Sequence, residues 1–120
     1  APFIMYSHTR ACSISRRASG LDQSPVQVPE SESMPSGLVE LMRLICCHND
    51  VLEHSVEQQK THIFALLMLE LANAYNGFYR DCHVLNENIV DGFFYQISEL
   101  GRNLLRTGLE GLGISPIEQM

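Results

Sequence analysis

Residues 62–79, HIFALLMLELANAYNGFY, form the most apolar stretch of this 120-residue chain. Their apolar side chains recur at intervals of three and four residues. The main stripe is Ile63, Leu67, Leu71, Ala74 and Phe78, and Leu66, Leu69, Ala72 and Tyr75 widen it. This spacing predicts an α-helix that begins near a capping Thr61. Because the helix is apolar around most of its circumference, we expect it in the middle of the domain.

A second helix is predicted over residues 2–18, with Pro2 near its first turn and Gly20 just past its end. Ile4, Ala11 and Ile14 fall on one face, and Arg10 and Arg17, seven residues apart, fall on another.

Two further helical regions follow from the same spacing. Residues 37–57 suggest two short helices that are separated near His48-Asn49-Asp50. The last helix is predicted from about Val90 to Leu112, with Gly113 as a left-handed residue after its end. Its apolar rows are Phe93, Ile97, Leu100 and Leu104, and Leu105, Leu109 and Leu112.

No long stretch alternates with a period of two, so the predicted fold is all-α, an irregular bundle of about five helices. Its length suits one domain, residues 1–120. The segment 19–36 contains Pro25, Pro29, Pro35 and several serines, and we expect it to be a mobile acidic loop.

Charge is unevenly distributed along the chain, whose net charge is −6. Residues 1–21 contain three arginines and no acid, whereas residues 22–57 contain seven acids and one arginine. A polyanion could therefore bind the first segment despite the acidic total. No apolar run approaches the roughly 20 residues needed to cross a bilayer. The four cysteines lack the spacing of a disulfide framework, which favours the reducing cytoplasm.

The chain offers no obvious catalytic constellation. GLEGLG at 108–113 contains glycines but lies at a predicted helix end rather than after a strand. The nearest approach to zinc-ligand spacing is His8 with Cys12, and Cys82 with His83. Buried thiols and hydrogen-bonded histidines explain these residues better, so we expect neither catalytic nor metal-binding residues.

Three segments resemble a known family in the family's own order. They are YSHTRACSISRRA at 6–18, LMLELANAYNGFYRDCHVL at 67–85 and NLLRTGLEGLGISPIEQM at 103–120. They resemble the C-terminal domain of arginyl-tRNA synthetases, a DALR-type anticodon-binding domain. Phe93-Phe94-Tyr95-Gln96 replaces the family's usual Arg-Leu-rich stretch, and His83 stands where the family often has Pro.

The resemblance implies a helical bundle that binds the anticodon stem and loop of an arginine-accepting tRNA. The parent enzyme joins arginine to this tRNA with ATP and Mg²⁺. The family's catalytic motifs do not occur in this sequence, so the resemblance implies an excised domain without cofactors. The rest of the synthetase chain would then lie upstream. Two alternatives remain, a stand-alone DALR-like tRNA-binding adaptor and a helical protein-interaction domain with an acidic docking region.

Unstacked bases are bound by aromatic and arginine planes, and phosphates by basic side chains. The resemblance and this chemistry together suggest seven tRNA-binding residues. They are Tyr6, Arg10, Arg16, Arg17, Asn76, Tyr79 and Met120.

Most of these candidates have structural alternatives, and for Arg16 and Arg17 the alternative is a solvated side chain without an RNA contact. Arg10 is instead predicted to pair with Glu70 or Asp81, and Asn76 to bond to the backbone of a neighbouring helix. Tyr6 and Tyr79 could also pack against the core. Met120 is expected near Tyr6 if residues 114–119 fold back across the bundle.

Overall fold

The computed structural model describes residues 2–57, 61–111 and 113, and the side chains of 3–47 and 65–111. Four α-helices occur in these residues, where about five were predicted. They are α1 (Pro2–Ala18), α2 (Ser36–Glu57), α3 (Thr61–Asp81) and α4 (Gly92–Gly111). A short 3₁₀ helix (Ser31–Ser33) and three two-residue strands connect them: β1 (Asp22–Gln23), β2 (Leu85–Asn86) and β3 (Ile89–Val90).

Helix α1 has the predicted bounds. Ile4, Ala11 and Ile14 are all buried, as their shared face indicated. Ser7 and His8 are buried as well, so the buried face of α1 is broader than the apolar residues alone indicate.

The predicted break near His48-Asn49-Asp50 is wrong, because α2 runs through it. No Pro or Gly occurs between residues 38 and 57. Asn and Asp are only slightly poorer helix formers than their neighbours, so they do not end a helix by themselves. This continuity accounts for the lower helix count.

Helix α3 contacts each of the other three helices, a property that it shares with α4. It begins at Thr61 as predicted, and its buried residues include Leu71, Tyr75 and Phe78. Leu66, at 64% exposed, shows that the apolar surface is wider than the buried one.

Asp91 caps the start of α4, and its side-chain Oδ1 accepts a hydrogen bond from the Phe94 N–H at 3.0 Å. The predicted start at Val90 is therefore two residues early, because Val90 belongs to β3. Leu100 is 49% exposed, so the buried row passes through Gly101 instead. Gly113 has φ 77°, which confirms its predicted left-handed conformation.

The three strands form a small sheet that the sequence does not predict. β3 lies in the centre, parallel to β1 and antiparallel to β2. The Ser24 N–H donates to the Val90 carbonyl at 2.7 Å, and the Gly92 N–H donates to Ser24 Oγ at 3.1 Å. The start of the 19–36 segment is thus attached to α4. The predicted mobility of this segment stays a prediction.

The N-terminus of α2 is held against the end of α3. Asp81 Oδ2 accepts a hydrogen bond from the Gly37 N–H at 3.0 Å, and Arg80 Nε lies 3.0 Å from Asp81 Oδ1. These bonds lower the pKa of Asp81 below its usual range; the bond from Arg80 has the larger effect and that from Gly37 the next.

None of the helices within the described ranges is long and apolar enough to cross a membrane.

Candidate nucleic-acid interface

An open groove of about 450 Å³ runs along α1 beside the C-terminal half of α3. We call it the α1–α3 groove. Its lining residues are Tyr6, Thr9, Arg10, Ser13, Ile14, Arg16, Arg17 and Tyr79. Five of the seven predicted tRNA-binding residues therefore lie on one surface.

Arg10 lies between two tyrosine rings in this groove. Its guanidinium carbon is 4.7 Å from the centre of the Tyr6 ring and 4.2 Å from that of Tyr79. The Arg10 Nη2 group donates to the Tyr6 hydroxyl at 2.5 Å, and Nη1 donates to Asn76 Oδ1 at 3.1 Å. Both separations from the rings are in the range of cation–π attraction. Arg10 therefore fixes the two rings relative to each other.

The predicted ion pair of Arg10 with Glu70 or Asp81 is wrong. Glu70 lies 3.6 Å from Arg43 across α2 and α3, and Asp81 pairs with its neighbour Arg80. Arg10 instead lies over the Tyr79 ring and donates to Asn76, because α1 packs against this part of α3.

Asn76 lies behind the groove rather than in its lining. Its Nδ2 group donates to Ser7 Oγ of α1 at 3.0 Å, while its Oδ1 accepts from Arg10. The predicted bond to the backbone of a neighbouring helix is thus wrong, because the partners are side chains. Asn76 joins α1 to α3 and orients Arg10.

The two tyrosines are accessible from the solvent. Tyr6 is 47% exposed and Tyr79 is 39% exposed, so neither ring belongs to the core. Phe78, directly before Tyr79, is fully buried as predicted and makes an edge-on contact with Phe94 at 6.2 Å. The buried ring anchors α3 and leaves Tyr79 on the groove side.

The groove is basic although the chain as a whole is acidic. None of the described residues in its lining carries a carboxylate. Four arginines of the described helices α2, α3 and α4 pair with acids: Arg43, Arg80, Arg102 and Arg106. Arg17, in contrast, makes no ion pair within the described residues. Its charge is therefore available to an anionic ligand.

Sequence reasoning missed Thr9, Ser13 and Ile14. Positions 6, 10, 13 and 17 lie on one face of a helix, and this spacing could have identified Ser13. Met120 and residues 114–119 lie outside the described residues, so the expected contact of Met120 with Tyr6 stays a prediction.

Three of the four residues that come nearest to zinc-ligand spacing are buried: His8, Cys12 and Cys82. Burial raises the pKa of the Cys82 thiol to about 11, so this cysteine is protonated near neutral pH. Cys12 Sγ lies 3.6 Å from Nε2 of His8, and both side chains are buried. Within the described ranges, no group of three or more His, Cys, Asp or Glu side chains could hold a metal ion.

Comparison with protein families identifies the fold. Residues 4–120 match the family model described as the DALR anticodon binding domain. The chain belongs to this family. The DALR domain here thus spans nearly all of the chain, with the basic groove formed by its first and third helices.

Three curated relatives of this DALR domain are named arginine–tRNA ligase. The chain is 34% identical over 117 residues to the arginine–tRNA ligase of Methanocaldococcus jannaschii, which aligns 95% of the chain and 20% of the relative. It is 38% identical over 121 residues to that of Archaeoglobus fulgidus, aligning the whole chain and 22% of the relative. It is 28% identical over 122 residues to that of Proteus mirabilis, with 100% and 21% aligned.

The chain thus spans about a fifth of the length of the curated relatives that it matches. No solved structure gives a significant match to this chain.

Proposed function

We propose that this chain is the anticodon-binding domain of an arginine–tRNA ligase and binds an arginine-accepting tRNA. The observation that carries the proposal is the pair of exposed tyrosines in the basic α1–α3 groove, with Arg10 held between them. The membership of the chain in the DALR family and the names of its relatives support the same function.

Stacking is the proposed mode of base recognition. An anticodon loop presents unstacked bases, and each base that stacks on an aromatic side chain contributes about 1–3 kcal/mol. The Tyr6 and Tyr79 rings are already oriented by Arg10, so less side-chain freedom is lost when a base binds. The exposed ring faces are then the surfaces on which bases stack.

Phosphate binding is proposed for Arg16 and Arg17, which lie in the same groove. Arg17 is free of ion pairs within the described residues, so no internal carboxylate competes with a phosphate. Ser13 lies in the same lining and supplies a hydroxyl that can donate to a base edge or a phosphate. Arg10 and Asn76 are proposed to position the tyrosines.

The reaction itself is proposed for the longer protein that would contain this domain. Joining arginine to tRNA uses ATP and Mg²⁺, and the residues described here do not fit either group. GLEGLG begins inside α4, where Gly108 and Leu109 are buried, and no group of three or more His, Cys, Asp or Glu in the described residues could hold a metal ion. No chemical step is therefore assigned to this domain. A cytoplasmic location is proposed with this function.

A titration of the chain with an arginine-accepting tRNA at several salt concentrations tests the proposal. Two or three phosphate contacts predict that the logarithm of affinity falls with the logarithm of salt, with a slope of about −1 to −3. A tRNA of equal length with a different anticodon loop is the control, and it should bind more weakly. Equal binding of both tRNAs would contradict anticodon recognition.

A further inference from the structure

The α1–α3 groove continues beyond Tyr79 into a second depression of about 340 Å³, which we call the second basin. Ile14, Arg17 and Tyr79 line both, so the two are continuous. The second basin is completed by Arg80, Cys82, His83, Val84 and Leu85. It therefore extends the surface from α1 to the turn that follows α3.

The second basin carries the same charge pattern as the groove. Among its described lining residues there is no carboxylate, while Arg17, Arg80 and His83 all lie at its rim. Asp81 engages Nε of Arg80 at 3.0 Å and offsets part of that charge. Arg17 and His83 are therefore the cationic and hydrogen-bonding groups with the least internal competition.

His83 is presented by a rigid turn. The residues on either side, Cys82 and Val84, are each 3% exposed, whereas His83 itself is exposed. Its carbonyl oxygen accepts a hydrogen bond from Asn86 Nδ2 at 3.1 Å. The Val84 carbonyl accepts from the Asp91 N–H at 2.8 Å, which joins the turn to the start of α4. The imidazole is thus held at the surface by a backbone that is fixed on both sides.

We propose that the second basin binds the nucleotide next to the one stacked on Tyr79, with His83 and Arg17 at its phosphate. Arg17 would bridge the two positions because it lines both. Ile14 and Leu85 supply an apolar floor for the ribose. The inference rests on the proposed function and adds a site beyond the residues predicted from the sequence.

Introducing a negative charge at position 83 tests the proposal. The probes are two RNA oligonucleotides, the anticodon trinucleotide of an arginine-accepting tRNA and a pentanucleotide with one flanking residue on each side. The unmodified chain should bind the pentanucleotide about tenfold more tightly. His83→Glu should remove most of this difference and leave trinucleotide binding within about twofold.

Asn73→Glu is the matched control, because Asn73 is exposed on α3 and lines a separate depression against α2. It adds the same kind of side chain and should leave both affinities within twofold. Circular dichroism and thermal melting report whether each variant is folded. If His83→Glu does not fold, the imidazole NMR signals of His83 in the unmodified chain replace it. These signals, assigned with His83→Gln, should move with the pentanucleotide and not with the trinucleotide.

Two failures are distinguishable. In the first case, both RNAs bind and Tyr6→Ala weakens both, but His83→Glu does not change pentanucleotide binding or the His83 signals do not move. The proposal for the second basin is then wrong, and the proposed function stands. If neither RNA nor the intact tRNA binds, the proposed function fails and the second basin fails with it.

Discussion

Replacing Arg10 with lysine tests the arrangement of the α1–α3 groove. Arginine here makes two ring contacts, at 4.7 and 4.2 Å, and two hydrogen bonds, to Tyr6 and Asn76. A lysine ammonium lacks the planar fork that makes all four contacts at once. Arg10→Lys should therefore free the Tyr6 and Tyr79 rings while it keeps the positive charge.

The expected magnitude follows from these contacts. Each partly exposed cation–π contact contributes about 0.5–1 kcal/mol, and a typical hydrogen bond about 0.5–1.5 kcal/mol net. Since lysine keeps part of this attraction, the free energy of unfolding should fall by about 1–2 kcal/mol. Restoring order to two loosened rings costs about 0.5–1.5 kcal/mol per side chain. The affinity for tRNA should then fall by about 1–3 kcal/mol, roughly fivefold to 150-fold.

Urea denaturation followed by circular dichroism measures the first effect, and a fluorescence titration with tRNA measures the second. Arg43→Lys is the matched control, because Arg43 is exposed on α2 and paired with Glu40. It should leave the unfolding free energy nearly unchanged, because an ion pair at an exposed position contributes little. A large loss of affinity for Arg10→Lys with unchanged stability would refute the reasoning, since Arg10 would then bind RNA directly.

Three further predictions concern single positions. Gly37→Ala should lower the free energy of unfolding in urea by about 1–3 kcal/mol, because the added Cβ would collide with the backbone of Gly77. Gly20→Ala is the control, since the space around Gly20 is open. Asp81 has a lowered pKa in the folded chain, so its stabilisation is complete above the ordinary aspartate pKa and lost as pH falls through the lower folded value. Asp81→Asn should therefore reduce the dependence of thermal stability on pH below about 4, and an unchanged acid limb would contradict this. Arg17→Gln should reduce the magnitude of the salt slope of tRNA binding by about 0.7–0.9, and an unchanged slope would exclude a phosphate contact there.

Most of the helices could be predicted because the spacing of their apolar residues is visible in the sequence and does not depend on the tertiary contacts. The bounds of α1 and the conformation of Gly113 followed from Pro, Gly and the apolar spacing. The strands could not be predicted, since a two-residue strand has no period to detect. They form where the packing of the helices brings the Asp22–Gln23 backbone beside Ile89–Val90.

The site was predictable in part for the same reason. Tyr6, Arg10 and Arg17 share a face of α1, and this follows from their spacing alone. The partners of Arg10 did not follow, because Tyr79 and Asn76 come from α3 and depend on how the helices cross. In the sequence, His83 stands out as a departure from the family pattern and, beside Cys82, as an approach to zinc-ligand spacing, but not as an RNA-binding residue. Its place beside Arg17 needed the turn after α3.

The affinity of Tyr6→Ala for an arginine-accepting tRNA shows whether the α1–α3 groove binds the anticodon loop. Loss of one stacking surface predicts a weakening of about 1–3 kcal/mol, roughly fivefold to 150-fold, with the helical circular dichroism signal intact. Tyr6→Phe keeps the ring and should lose less. Unchanged affinity for Tyr6→Ala, or a loss that only accompanies unfolding of the domain, would contradict the account.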